Sequence, residues 1–208
     1  MPRPCKARKT GKGWGYDRTP GKGSQLLEFA LSLPILLLLV VGVWDFGSAF
    51  ALKQKLTNGA REGARIVVST PMNNPTPATG CSATVPCAIV SAATGVQQYL
   101  TNASLDASWI SPSAPSASSA CPSGEWTYDS GTSGESLVIQ ADVAITPTGD
   151  VVPALAAPPG SIDATEVTLT WPLKWGLGAF LLSGVFPSQV SSNVTMVNLG
   201  GGCGDSIE

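Results

Sequence analysis

A long apolar run near the start of the chain is the strongest feature of its hydrophobic pattern. Phe29–Trp44 contains one polar residue, Ser32, and no charge. After Asp45 the apolar character resumes and continues to Leu52. A helix needs about 20 residues, at about 1.5 Å of rise each, to cross the hydrocarbon core of a membrane. The pattern therefore predicts a transmembrane segment over residues 24–52, provided that the helix tolerates the carboxylate.

The stretch that follows, KQKLTNGAREGARIVV, has the spacing of an amphipathic helix. Its apolar and small residues recur every three or four positions, on one helix face: Leu52, Leu56, Ala60, Ala64 and Val67. The cations of the stretch fall mostly on other faces. We therefore predict that residues 53–68 extend the membrane helix, giving one helix over residues 24–68 with Pro34 as a candidate kink.

The residue pattern after the long helix predicts an extracytoplasmic domain over residues 70–208. Its predicted elements are a short helix over 88–102 and strands over 136–145, 164–171 and 189–198. Connections rich in Ser and Pro separate them. Helices followed by strands indicate the α+β class, with a small antiparallel sheet packed on the long helix.

Charge is distributed unevenly along the sequence. Residues 1–23 carry seven cations and one anion, whereas residues 24–208 carry five cations and thirteen anions. A basic arm beside an apolar helix stays in the cytoplasm, which predicts a single-pass protein with its N-terminus inside and its C-terminus outside. The alternative role for the arm, binding of nucleic acid, is disfavoured because the apolar run follows it directly.

The residue types present argue against catalysis. The chain contains no histidine, which excludes a histidine base and metal sites built on imidazole. The sequence also shows no nucleophile–base spacing, phosphate-binding loop or cluster of metal ligands. We therefore expect no enzyme, no catalytic residue, no metal, no cofactor and no small-molecule substrate. An anchored hydrolase would have to act through serine and aspartate alone, and no spacing favours one.

Cysteine usage indicates export. One cysteine, Cys5, lies in the basic arm, and four lie beyond the apolar run: Cys81, Cys87, Cys121 and Cys203. An even number outside the cytoplasm predicts two disulfides, with three possible connectivities. Cys81 and Cys87 are close enough in sequence to close a small loop, which would leave Cys121 to pair with Cys203. The alternative is four free thiols.

The junction between the basic arm and the apolar run, KGSQLLEF, is a candidate processing site. A secretory signal would end its apolar region with small residues, and VVGVWDFGSAFA offers only a poor cleavage site because aromatic residues and Asp45 surround it. A cut between Gly23 and Ser24 would instead remove residues 1–23 as a leader. Glu28 would then be the fifth residue of the mature chain.

Two motifs together carry a family resemblance. GSQLLEFALSLPILLLLVVGVWDFGSAF, followed by GAREGAR, resembles the TadE-like family of pilin-like minor proteins in the Tad (Flp) pilus assembly system. The resemblance implies a type IV pilin-like fold and a class III signal peptide cut by a prepilin peptidase. It also implies contact with other Tad pilin-like subunits and the assembly platform. The implied location is the inner membrane, in a pilus or at its base.

Glu28 has two interpretations. Cleavage before Ser24 creates an α-amine, and a carboxylate alone in lipid is costly. Pairing Glu28 with the new amine of a neighbouring subunit would compensate both charges, and the resemblance favours this assembly role. Alternatively, Glu28 is an acid near a helix N-terminus at the membrane edge, where the helix dipole favours it.

GAREGAR also has two interpretations. Its small residues allow another backbone to approach closely, and its arginines share a face one turn apart: Gly59, Ala60, Gly63 and Ala64, with Arg61 and Arg65. This surface packs either on helices of neighbouring subunits or on the chain's own sheet.

Residues 171–186, WPLKWGLGAFLLSGVF, are unusually apolar for an exported loop. Strand alternation places Val167, Leu169 and Trp171 on one face, so Trp171 is predicted to be buried. Beyond Pro172 the alternation stops, and the remaining large residues form either core or a docking patch: Trp175, Phe180 and Leu181.

Three functions are therefore open, in order of preference. The first is a minor pilin-like subunit or assembly-priming factor of a Tad pilus. The second is a pseudopilin or TadF-like component of a related machine. The third is an extracytoplasmic binding domain on an uncleaved anchor, outside any filament.

Overall fold

The computed structural model describes residues 22–70, 72, 81–82, 84–119, 124–153, 156–175 and 187–198. Two helices and six strands lie within those ranges: α1 (Lys22–Ser69), α2 (Cys87–Asn102), β1 (Ala117–Ser119), β2 (Glu125–Asp129), β3 (Ser136–Ile145), β4 (Val151–Pro153), β5 (Ile162–Pro172) and β6 (Gln189–Val197).

The long helix predicted from the apolar and amphipathic patterns is confirmed as α1, which includes Pro34. Two compact units divide the chain between Val41 and Gly42, so α1 contributes to both. We refer to residues 25–44 as the lower segment of α1 and to residues 53–69 as its upper segment.

The strands form one antiparallel sheet in the order β1-β2-β3-β5-β6, and β4 pairs with the C-terminal part of β3. The β5–β6 register is regular from Ala164 opposite Val197 to Pro172 opposite Gln189. The β3–β5 register shifts between Gln140 and Val143, which marks a β-bulge.

The core of the second unit lies between this sheet and the two helices. Buried side chains alternate along β3 and β5, as a sheet with one covered face requires. The largest fully buried residues come from α1, α2, the loop after α2 and strands β2, β3 and β5: Leu56, Ile89, Leu100, Ile110, Trp126, Tyr128, Leu137, Ile139 and Leu169. The predicted α+β class is therefore confirmed, with the upper segment of α1 packed on the sheet.

Polar atoms of the core side chains tie the loops to the sheet. The indole Nε1 of Trp126 donates to the carbonyl of Thr84 at 2.7 Å. The Tyr128 hydroxyl donates to the carbonyl of Pro112 at 2.9 Å. Because a buried donor without a partner is costly, these bonds fix the segments before α2 and before β1 against the sheet.

Trp171 is less buried than its place in β5 predicts. Val167 and Leu169 are fully buried as expected, but Trp171 is half-buried. Its ring centroid lies 6.2 Å from that of Trp109. Trp171 packs against the core on the same face as Val167, as predicted, but it is only partly buried there.

Candidate functional site

The predicted processing junction lies at the start of α1. The helix begins at Lys22, so Gly23 and Ser24 belong to its first turn. Glu28 follows about one turn later, and its side chain is exposed. The junction and the candidate assembly carboxylate therefore lie on consecutive turns of a single helix.

The lower segment of α1 presents large apolar side chains to the outside. Residues 25–40 are all exposed, and the exposed large side chains include Leu27, Phe29, Leu31, Ile35, Leu36, Val43 and Trp44. Among the described residues there is one helix, α1, that is both long enough and apolar enough to cross a membrane. A surface of this kind is stable in lipid and unfavourable in water.

Asp45 is a buried residue within an otherwise exposed part of α1. The residues on either side, Trp44 and Phe46, are 79% and 70% exposed, whereas Asp45 is only 8% exposed. The sequence showed Asp45 as an interruption in the apolar run but gave no sign that it is buried. A linear hydrophobic pattern does not report the burial of a single acidic side chain.

The small residues of GAREGAR lie against the chain's own domain. A Cβ added at Gly59 would lie 3.2 Å from Leu169 Cδ1 of β5 and 3.3 Å from Tyr99 Cδ1 of α2. A Cβ added at Gly63 would lie 2.7 Å from Val96 Cγ2 of α2. Glycine at both positions therefore allows α1 to approach β5 and α2 closely. Ala60 and Ala64 are fully buried beside them.

The two arginines of the same motif lie on the exposed face of α1. Arg65 forms a two-point ion pair with Glu62, through Nη2 to Oε1 at 2.8 Å and Nε to Oε2 at 3.1 Å. The hydrogen bond from Arg65 lowers the pKa of Glu62 below its usual value. Arg61 is exposed and makes no hydrogen bond or ion pair with the described part of the chain.

One predicted disulfide is present. Cys81 and Cys87 are bonded, with their Cα atoms 5.0 Å apart, and the bond fastens the segment before α2 to its first residue. Cys5, Cys121 and Cys203 lie outside the described residues, so their pairing stays a prediction. No group of three or more acidic or cysteine side chains suited to a metal ion occurs among the described residues.

The proposed docking patch is described only at its first member. Trp175 is half-buried, and its Nε1 donates to the carbonyl of Pro187 at 2.8 Å. Phe180 and Leu181 lie outside the described residues. The patch therefore stays a prediction.

The long apolar N-terminal helix on a small antiparallel sheet is the arrangement of a pilin-like protein. Part of this helix also matches the model of a known protein family. The model of the family described as TadE-like protein matches residues 23–65. That match confirms the resemblance inferred from GSQLLEF and GAREGAR, and it covers the junction, Glu28, the lower segment and both arginines.

No curated protein and no solved structure matches the chain. The TadE-like match accounts for roughly a fifth of the sequence and ends within the upper segment of α1.

Proposed function

We propose that this protein is a minor pilin-like subunit or assembly-priming factor of a Tad (Flp) pilus. A prepilin peptidase cuts it between Gly23 and Ser24, and one transmembrane helix anchors it with the C-terminal domain outside the cytoplasm. The family match that starts at Gly23 and continues through the exposed apolar helix carries this proposal.

The exposure of α1 supports a membrane span. Residues 25–44 form a stretch of 20, which spans about 30 Å at about 1.5 Å per residue, the hydrocarbon thickness of a bilayer. Phe46 and Phe50 are also exposed and apolar, so the exposed surface continues past Asp45 towards Leu52, as hydropathy predicts.

Glu28 lies at the opposite end of this stretch, close to the new N-terminus that cleavage creates. Cleavage creates an α-amine on Ser24 that is largely protonated at neutral pH, and Glu28 offers it a carboxyl group. Each charge is costly near lipid, and each is compensated when the amine of one subunit meets the carboxylate of the next. Glu28 therefore acts in assembly and fixes the register between neighbouring helices.

Processing is tested by N-terminal sequencing of the protein purified from membranes. The wild type should begin at Ser24, and Gly23→Phe should accumulate as the longer precursor. Gly15→Phe, the same change within the arm, is the control and should be processed normally. A mature chain that begins at Met1, or beyond Leu52, would refute the cleavage.

The pilus role is tested with Glu28→Gln, which keeps the size of the side chain and removes its charge. The variant should insert into the membrane but co-purify poorly with other pilus proteins and reduce piliation. Glu62→Gln, a carboxylate change on the same helix outside the membrane, is the matched control. Normal piliation with Glu28→Gln would contradict the assembly role.

A further inference from the structure

Charge is segregated within the extracytoplasmic part of the chain. Residues 53–65 of α1 carry four cations and one anion, Glu62. Residues 70–208 carry one cation, Lys174, and ten anions. The upper segment of α1 is therefore the basic surface of a domain that is otherwise acidic.

Only part of this basic surface is available to a partner. Lys53 donates to the carbonyl of Ser191 at the β6 edge, and Lys55 donates to the carbonyl of Ala103. Arg61 and Arg65 are exposed on the face of α1 that points away from the buried glycines, and Arg65 also pairs with Glu62 of the same helix. We call the exposed surface formed by Gln54, Asn58, Arg61 and Arg65 the arginine face.

The outer face of the sheet carries a row of polar side chains, two of which are acidic. The strand registers place four residues side by side across β2, β3, β5 and β6: Glu125, Gln140, Glu166 and Thr195. Gln140 Nε2 donates to Glu125 at 2.8 Å, and Asn193 Nδ2 donates to Glu166 at 3.1 Å. Both donors are neutral amides, so neither hydrogen bond brings a positive charge to the row. We call these four residues the acidic row.

The arginine face and the acidic row lie on opposite sides of the domain and at matching height. Val167 points towards α1, where a Cβ at Gly63 would lie 3.4 Å from its Cγ1. Glu166, the next residue in the strand, points to the other side of the sheet. Glu166 is therefore level with the helical turn that carries Arg61 and Arg65.

We propose that the arginine face of one copy of this chain binds the acidic row of a second copy beside it. The two faces carry opposite charge, and their equal height allows contact by a sideways displacement alone. Copies anchored in one membrane have the same orientation and depth. They can still move sideways in the plane of the membrane, which is the only movement that the contact requires. The contact is heterologous, since the two surfaces differ, and it can therefore repeat from copy to copy.

The contact should be weak in solution and sensitive to salt. Exposed ion pairs contribute little individually and are screened within about 10 Å at 0.1 M salt and about 3 Å at 1 M. Anchoring raises the effective concentration of neighbours, as a tether does for linked binding modules. The inference depends on these two surfaces and on the membrane anchor, and it holds whether or not the chain belongs to a pilus.

The test is sedimentation of the purified full chain in zwitterionic detergent at low and high salt. The wild type should associate at 0.05 M salt and dissociate at 0.5 M. Arg61→Glu/Arg65→Glu and Glu125→Lys/Glu166→Lys should each weaken self-association by about tenfold or more, because like charges then face each other. Asp106→Lys/Asp150→Lys, which reverses two exposed anions away from the row, should associate like the wild type or better.

The decisive measurement is made on a mixture of the two variants, one changed in the arginine face and the other in the acidic row. One variant then carries an acidic helix face and the other a basic sheet face, so association should return in the mixture. A wild type that stays monomeric, variants that associate normally, or a mixture that stays dissociated would each overturn the second-copy contact. The first of these results would leave the arginine face to an acidic partner of another kind.

Discussion

The lower and upper segments of α1 share one helical backbone but have opposite surroundings. The lower segment exposes leucines, valines and aromatic residues on every side, whereas the upper segment buries Leu56, Ala60, Ala64 and Val67. Residue size follows this difference. Large side chains face outward where no protein covers the helix, and glycine and alanine occur where α2 and β5 approach it.

The comparison shows that hydrophobicity alone does not identify a protein core. The more apolar segment is largely exposed with respect to the described residues, and the less apolar segment packs into the core of the domain. The first is suited to lipid, where dispersion contacts with acyl chains replace those with protein. The second is held by close packing, in which each methylene counts. The predictions below set changes in the covered part of the chain against changes or signals in the exposed part of α1.

The largest effect is expected from removing the upper segment. A chain of residues 70–208 lacks four buried α1 side chains, whose burial is worth about 6 kcal/mol, a large share of the stability of a small domain. It should show no cooperative unfolding, whereas residues 42–208 in detergent should unfold in one transition. Circular dichroism during thermal melting measures both. Cooperative melting of residues 70–208 would make the upper segment dispensable.

Substitution of single leucines should show the same difference between the upper and lower segments, with a smaller effect on stability. Leu56 is fully buried, and Leu36 is 64% exposed in the lower segment. Leu56→Ala should lower the free energy of unfolding of the domain by about 2–5 kcal/mol, and Leu36→Ala should leave it unchanged. Denaturant titration followed by tryptophan fluorescence measures the difference. Equal losses would mean that the lower segment also belongs to the core.

Much of this architecture follows from local sequence pattern. The predicted strand over 136–145 coincides with β3, and the predictions for β5, β6 and α2 are within two residues at either end. In these elements one face packs on a core, which produces a periodic pattern of apolar residues. The elements are also long enough for that period to be recognised. The junction, Glu28 and GAREGAR were likewise recognisable because their spacing lies within a single helix.

Short and edge elements escaped prediction. β2, with sequence EWTYD, was missed although it holds Trp126 and Tyr128, two of the largest buried side chains. Its alternation of aromatic and polar residues was the available signal, but it is only five residues long. β1 and β4 have three residues each, and β4 includes Pro153. The face of α1 covered by the sheet also depends on long-range pairing, which no local pattern contains.

Two glycines of α1 give a closer comparison. A Cβ at Gly63 would lie 2.7 Å from Val96 Cγ2, whereas a Cβ at Gly47 meets nothing within 4 Å. Alanine favours a helix over glycine by about 1 kcal/mol, so Gly47→Ala should be neutral or stabilising. At Gly63 overpacking should outweigh that gain, with a net loss of about 1–2 kcal/mol in unfolding free energy. Thermal melting of both variants decides it, and stabilisation by Gly63→Ala would show that Val96 moves aside freely.

The smallest effect concerns alkaline pH, which acts on the core through Tyr128. Burial raises the pKa of Tyr128 to about 12, from an ordinary value of 10.0. The folded state therefore holds the phenol proton at pH values where the unfolded state has released it. The stability that depends on this proton is complete below pH 10 and is lost as pH rises towards 12.

The domain should accordingly melt at progressively lower temperature between pH 10 and 12, while the lower segment keeps its helical signal in detergent. Tyr128→Phe should reduce this dependence, because the variant has no phenol to titrate at that position. It should also cost about 1 kcal/mol at neutral pH through the lost bond to the Pro112 carbonyl. An unchanged alkaline slope in Tyr128→Phe would assign the effect to another group, and loss of the lower helix in parallel would show that the two segments unfold as one.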